Sequence, residues 1–219
     1  MRIQLNIIKR LGVILLFISL FTACSNKDTV NEYDKPALYW YNQVVKEIAS
    51  SNLDKADNYY ISLRSEHAHS PLLPTATMLL AQAHMEKQEY IMADYYLDEY
   101  LKKYAKGTKI EQAKFLKIKA AFLGIKDINK EQQLMLNTLT NVDKFIKRYP
   151  NSIYLPIVNT IKVRLHMAQY MLNENIASLY RRLGKEKAAK IYKEKNANSP
   201  LNMADIKAPK VGFFESIFN

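Results

Sequence analysis

The residue best suited to covalent chemistry is Cys24, the only cysteine among 219 residues. A single thiol cannot form an internal disulfide, so it is either unused or it reacts with a group outside the chain. It follows a basic segment at residues 1–10, an apolar run of eleven residues at 11–21 and two small residues. This order is typical of a cleaved targeting segment, and a membrane-spanning helix needs about 20 apolar residues. We therefore predict that residues 1–23 are a signal peptide.

The four residues Phe21-Thr22-Ala23-Cys24 resemble the lipobox of bacterial lipoproteins, in which cleavage precedes the cysteine and its thiol receives a diacylglycerol. Phe21 departs from the commonest residue, leucine, but keeps a bulky apolar side chain there. The resemblance implies lipidation at Cys24, and Ser25, in place of a retaining aspartate, implies transfer to the outer membrane. Two or more acyl chains make a stable anchor. Residues 24–35 are polar and aperiodic, so we predict a tether between this anchor and the first helix.

Other groups capable of chemistry are scattered. His67 and His69 have a spacing that metal pairs use, but no Cys, Asp or Glu cluster completes a site, so we predict a surface loop and no metal. His84 and His166 lie in helical patterns, where packing or solvent exposure is expected. No phosphate-binding glycine loop, nucleophile elbow or paired-carboxylate motif occurs, which predicts a protein that is not an enzyme and has no cofactor besides the lipid.

The rest of the chain is helical in pattern. In the stretch 75–106, apolar residues recur at the i, i+3, i+4, i+7 spacing of two short amphipathic helices. The segment 53–59 matches 90–96 and places Ala56 over Ala93, at an offset close to the roughly 34 residues of a tetratricopeptide repeat. A small residue there lets two helices approach closely. The fold class is therefore predicted as all-α, a tetratricopeptide-repeat superhelix of about four to five helix pairs over residues 36–198.

The individual units follow from the same spacing. In the first, we expect Leu38, Tyr41, Val44, Val45 and Ile48 to form the buried stripe. The third unit has a longer connection, 125–131. The fourth begins with a helix of about 20 residues from Ile153, followed by a shorter partner at 173–183; residues 184–195 then resemble half of a fifth unit.

Residues 199–219 are predicted to be a C-terminal tail with an apolar end, VGFFESIFN. It either folds back on the last helix or docks on a partner protein or membrane. The formal charge of +11 falls to +8 once residues 1–23 are removed, and the basic residues are spread over every helix. That distribution favours a solvated surface, and we expect no nucleic-acid partner for a lipoprotein outside the cytoplasm.

Taken together, the lipobox, the tether, the repeats, the sequence RYPNSIY after the third unit and the long fourth-unit helix resemble the BamD family of the outer-membrane β-barrel assembly complex. The resemblance covers roughly residues 39–195. It implies a scaffold on the periplasmic side of the outer membrane that binds the BamA-like barrel subunit, other assembly-complex lipoproteins and unfolded outer-membrane proteins. A tyrosine-lined groove would suit an extended peptide. In the family the N-terminal repeats recognise substrate. The resemblance therefore implies that the groove is lined by some of four tyrosines, the others being part of the core: Tyr59, Tyr60, Tyr95 and Tyr96.

Two other functions remain open from the sequence. A pilotin-like lipoprotein would escort a secretin or a pilus component and would have the same anchor and repeats. An accessory enzyme of cell-wall metabolism would need a polar catalytic cluster, which the sequence does not show.

Overall fold

The computed structural model describes residues 32–199, and within this range the chain folds into eight helices and no strand. The predicted signal peptide, Cys24, most of the tether and the tail beyond Ser199 lie outside the described residues. The helices are α1 (Ala37–Ala49), α2 (Leu53–Glu66), α3 (Leu73–Glu86), α4 (Tyr90–Lys103), α5 (Thr108–Gly124), α6 (Gln132–Arg148), α7 (Leu155–Arg182) and α8 (Glu186–Ala197).

Consecutive helices pack as pairs, which confirms the all-α repeat prediction. The helix α1 packs on α2, α3 on α4 and α7 on α8, and α1 also contacts α3 across the first two pairs. Ala56 and Ala93 are fully buried, as expected for the small position where paired helices approach. Short connections close the pairs: Ser51 and Gln88 take the left-handed conformation, at φ 61° each, and turn the chain back on itself within three residues.

The predicted stripe of α1 is partly wrong. Val44 is buried, but Leu38 is 58% exposed and Val45 is 39% exposed. The residue that instead fills the first unit is Trp40, which has no exposed surface. Compared with the prediction, α1 is rotated about its axis so that the face with Trp40 and Val44, four residues apart, points to the core. The large indole buries more apolar area there than Leu38 would.

The third and fourth units share one apolar core. Phe115, Ile118 and Phe122 of α5 pack with Leu139, Val142 and Phe145 of α6 and with Val158, Ile161 and Leu165 of α7. The long connection between α5 and α6 contributes to this core, because Ile125 and Ile128 are buried in it. The ring of Tyr154, just before α7, stacks on Phe115 with 4.3 Å between ring centroids.

The predicted break in the fourth unit is wrong. Residues 155–182 form one 28-residue helix, α7, and the partner that packs against it is α8. The helix continues through Asn173 because the segment 173–183 contains no Gly or Pro, and Asn173 donates to Asn196 Oδ1 of α8 at 2.9 Å. Leu179, in the segment that the sequence assigned to a separate shorter helix, is 46% exposed. Ala189 fills the small position of α8, whereas its neighbour Ala188 is only half-buried.

Although α7 is long, it is too polar for a bilayer. Within the described part of the chain, no helix combines the length and the apolar composition that crossing a membrane requires.

Candidate partner-binding site

The structure separates the four tyrosines that sequence analysis singled out. Tyr60 and Tyr96 are 1% and 2% exposed, so they belong to the core between α2, α3 and α4. Tyr59 is half-buried, with its ring 6.0 Å from that of Trp40. Only Tyr95 is well exposed, at 48%. Surface available for contact therefore comes from Tyr95 and, in part, from Tyr59.

A buried hydrogen-bond network fixes Tyr60. Its hydroxyl donates to Glu99 Oε1 at 3.0 Å and lies 2.7 Å from Thr77 Oγ1. Thr77 itself donates to the carbonyl of Leu73, four residues earlier in α3. Burial, reinforced by the Glu99 carboxylate, raises the pKa of Tyr60 far above its ordinary value. The phenol therefore stays protonated and ties α2 to both helices of the second unit.

Glu99 is the centre of this network. Its carboxylate is 7% exposed and accepts from Arg64 at 2.8 Å and from Lys103 at 3.2 Å, besides Tyr60. Burial alone would raise the pKa of Glu99, but hydrogen bonds from Lys103, Tyr60 and Arg64 outweigh it and hold the pKa below its usual range. The carboxylate is thus ionised near neutral pH and compensates two cations at the edge of the core.

Arg64 connects this core to the surface. Its guanidinium lies 5.7 Å from the centre of the Tyr60 ring, and its Nη1 also donates to the hydroxyl of Tyr95 at 3.4 Å. The Tyr95 ring meets Tyr96 edge-on at 5.1 Å. An exposed aromatic side chain is therefore held in a defined orientation by a cation from the preceding repeat. We call Arg64 and Tyr95 the inter-repeat patch.

A second polar cluster lies around His84, which is only 2% exposed. Its Nδ1 lies 2.5 Å from Glu89 Oε2, and its Nε2 lies 3.1 Å from Asp57 Oδ1. Tyr96 donates to the same Asp57 oxygen at 2.6 Å and stacks on the His84 ring at 5.4 Å. Burial lowers the pKa of His84, but its bonds to Asp57 and Glu89 outweigh burial and leave the pKa raised. Both ring nitrogens of His84 thus face a carboxylate, and the contact with Asp57 joins the second unit to the first.

Sequence reasoning missed the charged residues of both networks. It assigned His84 to ordinary packing and did not consider Arg64, Glu99 or Glu89. One signal was present: Asp57 falls in register with Asp94 in the repeat alignment, and an acidic residue beside the buried small position is a natural partner for a buried cation. Spacing along one helix does not indicate the long-range contacts, which join His84 to Asp57 over 27 residues and Tyr60 to Glu99 over 39 residues.

The predicted absence of a metal site stays an expectation. Among the described residues, no group of three or more His, Cys, Asp and Glu is arranged to hold an ion. His67 instead bonds through Nε2 to the carbonyl of Lys35 at 2.7 Å, which fixes the start of the first unit against the end of α2.

A basic surface lies farther along the chain. Lys114, Lys144 and Arg148 line a cavity of about 280 Å³ between α4, α5 and α6. The ammonium of Lys114 lies 5.8 Å from the centre of the Tyr149 ring, so the basic and aromatic residues at the end of α6 combine in one place. This surface suits contact with an acidic face of a partner.

Paired helices with buried small residues, joined by inter-repeat polar networks, define this chain as a helical-repeat protein of the tetratricopeptide type. The chain belongs to the YfiO family of outer membrane lipoproteins, which it matches over residues 33–193. That match spans all the helices from α1 to most of α8 and includes both polar networks.

Two relatives are consistent with this assignment. Over 186 residues the chain is 39% identical to the outer membrane protein assembly factor BamD of Helicobacter pylori, and this alignment covers 84% of each chain. It is also 23% identical over 130 residues to the outer membrane protein assembly factor BamD of Caulobacter vibrioides, covering 59% of this chain and 43% of that protein.

Proposed function

We propose that this chain is a non-catalytic scaffold of outer-membrane protein assembly, anchored by a lipid on Cys24 to the periplasmic side of the outer membrane. It binds a BamA-like barrel subunit and unfolded outer-membrane proteins, and it needs no cofactor besides the lipid. The observation that carries the proposal is the 39% identity to an assembly factor over 84% of both chains. Because the alignment spans 186 of the 219 residues, it includes the inter-repeat patch and both polar networks.

Physical features of the chain support a binding role. The inter-repeat patch presents an oriented aromatic ring next to a guanidinium, a combination enriched at interface hot spots. Arg64 is already paired with a buried carboxylate, so the patch is preorganised and loses little side-chain entropy on binding. The basic surface at Lys114, Lys144 and Arg148 offers a second, electrostatic contact on a separate part of the chain.

The test of the assembly role is a pull-down of the lipidated chain from gently solubilised outer membrane. We expect a barrel protein with periplasmic domains to co-purify. Recovery of a secretin without such a barrel protein would overturn the proposal and favour a pilotin-like role.

The anchor is tested separately with Cys24→Ala. Because the cysteine supplies the only thiol of the chain, we expect this variant to move entirely from the membrane fraction to the soluble periplasmic fraction after extraction of peripheral proteins. Ser25→Ala, next to it, keeps the thiol and should remain in the outer membrane. A Cys24→Ala variant that still fractionates with the membrane after that extraction would contradict lipid anchoring.

Substrate binding is tested at the inter-repeat patch with Tyr95→Ser. We expect about tenfold weaker binding of a fluorescently labelled, urea-denatured outer-membrane barrel protein diluted into buffer, because an exposed interface tyrosine contributes about 1–2 kcal/mol. Tyr33→Ser is the matched control: Tyr33 is 75% exposed but precedes the first helix. Equal affinities of the Tyr95 variant and the unmodified chain would remove the patch from the substrate site.

A further inference from the structure

A groove lies at the C-terminal end of the described chain. A cavity of about 660 Å³ is floored by the middle of α7 and walled by the first turns of α6 on one side and by α8 on the other. We call it the C-terminal groove. Its apolar lining consists of Met135, Leu136, Leu172, Ile176 and Ile191. Two of these residues remain well exposed, Leu136 at 43% and Ile191 at 54%.

The groove also contains a polar group that requires a partner. His166 lies in its floor, and within the described residues the Nδ1 atom is buried and has no hydrogen-bond partner. A buried polar atom without a partner costs free energy, so native proteins rarely leave one. Whatever occupies the groove should therefore bring both apolar side chains and a hydrogen-bonding group.

The chain leaves α8 at this groove. Asn196 is buried at the end of α8, where its amide donates to the Tyr170 carbonyl and to Glu174 Oε1, both at 3.0 Å, and its oxygen accepts from Asn173 at 2.9 Å. These bonds to α7 hold the last turn of α8 in place. As a result Ser199, the last described residue, itself lines the groove.

The residues that follow have the required character. The segment 211–219, VGFFESIFN, has four large apolar residues at relative positions i, i+1, i+4 and i+5, a spacing that gathers side chains on one helical face: Phe213, Phe214, Ile217 and Phe218. The segment also contains Ser216, whose hydroxyl is the kind of hydrogen-bonding group that His166 requires. Eleven residues separate it from Ser199, enough to span about 36 Å when extended.

Charge is also complementary. The segment contains one acidic residue, Glu215, and no basic residue, whereas α8 carries four lysines against two glutamates. Lys195 lies in the wall of the groove. A helical turn lying between α6 and α8 would therefore bury its apolar face and keep its carboxylate beside α8.

We propose that the segment 211–219 of this chain folds back into the C-terminal groove and caps the repeat array there. Repeat proteins need a terminal element that covers the apolar edge of the last unit. A capping tail would provide that element without a complete fifth helix pair. The inference concerns this end of the chain and is independent of the assembly role.

Cross-linking in the full lipidated chain tests the proposal. Phe214→Cys is combined with Ile191→Cys or with Leu136→Cys, one on each wall, and the membranes are treated with a short bis-maleimide. We expect a cross-link within one molecule, seen after proteolysis as a joined peptide pair, for at least one wall position. Phe214→Cys with Ile157→Cys is the matched control, because Ile157 is 52% exposed on α7 but does not line the groove. Chains with each single substitution identify any reaction that involves Cys24.

A second variant separates groove binding from random collision. Adding Phe213→Ser, Ile217→Ser and Phe218→Ser to the cross-linking pair removes the apolar face of the segment without altering any described residue, and far-ultraviolet circular dichroism checks that residues 32–199 remain folded. We expect the yield of the cross-link to fall at least tenfold. The proposal is overturned if links form only between two molecules, if the Ile157 control links as well as the walls do, if neither wall links, or if the serine variant links unchanged.

Discussion

Replacing Trp40 by alanine should lower the free energy of unfolding by about 3–5 kcal/mol, the usual cost of truncating a fully buried tryptophan. Trp40 has no exposed surface, its ring meets Tyr39 edge-on at 5.2 Å, and Nε1 donates to Glu66 Oε2 at 2.7 Å. The substitution therefore removes the largest side chain of the first unit and a hydrogen bond that joins α1 to α2. Because Trp40 is the only tryptophan, the variant has no tryptophan fluorescence to follow. Urea denaturation monitored by far-ultraviolet circular dichroism therefore measures the loss of stability.

The matched control for this prediction is Leu38→Ala. Leu38 lies on the same helix two residues earlier but is 58% exposed, so the change should stay within about 0.5 kcal/mol. The pair of variants distinguishes the observed face of α1 from the face that the sequence pattern suggested. Losses of similar size at both positions would mean that α1 is rotated from the described orientation.

Trp40→Phe divides the effect of Trp40 into its parts. Phenylalanine keeps most of the apolar contact with Tyr59 but cannot donate to Glu66. We therefore expect a smaller loss of unfolding free energy than in the alanine variant, because most of the apolar packing is kept and the lost hydrogen bond contributes only about 1 kcal/mol.

The repeat architecture could be predicted from sequence because it depends on local spacing. Ala56 and Ala93 mark the close approach of paired helices, and their alignment alone gave the repeat and its pairing. The apolar spacing from Val158 to Leu172 likewise predicted a long helix at α7, and the residues at that spacing are buried in the structure. What local spacing does not give is the end of a helix that has no Gly or Pro, which is why the break near Asn173 was wrong.

The rotation of α1 had a different origin. Its pattern offers two overlapping apolar faces, one through Leu38 and Tyr41 and one through Trp40 and Val44. Which of them is buried depends on the neighbours, and Glu66 of α2 accepts a hydrogen bond from the indole of Trp40. Contacts between helices therefore decide a choice that a single helix leaves open.

The tyrosines raise the same problem at the candidate site. Neighbours in sequence, such as Tyr95 and Tyr96, point about 100° apart on a helix, so one can face the core while the other faces solvent. Sequence analysis identified the four positions but could not divide them. The division follows from Asp57 and Glu99, whose carboxylates accept hydrogen bonds from the hydroxyls of Tyr96 and Tyr60 and thereby offset the cost of burying those two hydroxyls.

His84 provides the second large effect, which depends on pH. The groups that face it are Asp57 of α2, Glu89 at the start of α4 and the Tyr96 hydroxyl, which is bonded to Asp57. Because the pKa of His84 is raised in the folded chain, its contribution to stability is complete below the ordinary histidine value of about 6.5. That contribution is lost as the pH rises through the folded-state pKa.

His84→Gln should therefore cost about 3 kcal/mol at pH 6, where it removes a buried cation and leaves the carboxylates of Asp57 and Glu89 without their shared partner. The cost should shrink as the pH rises from about 6.5 through the folded-state pKa, because the native histidine loses its charge over that range. The measurement is urea denaturation of both chains from pH 5.5 to 8.5, with His69→Gln as the control in an exposed loop. Parallel stability curves for the His84 variant and the unmodified chain across that range would show that folding does not raise the pKa of His84 and that the two carboxylates do not stabilise an imidazolium.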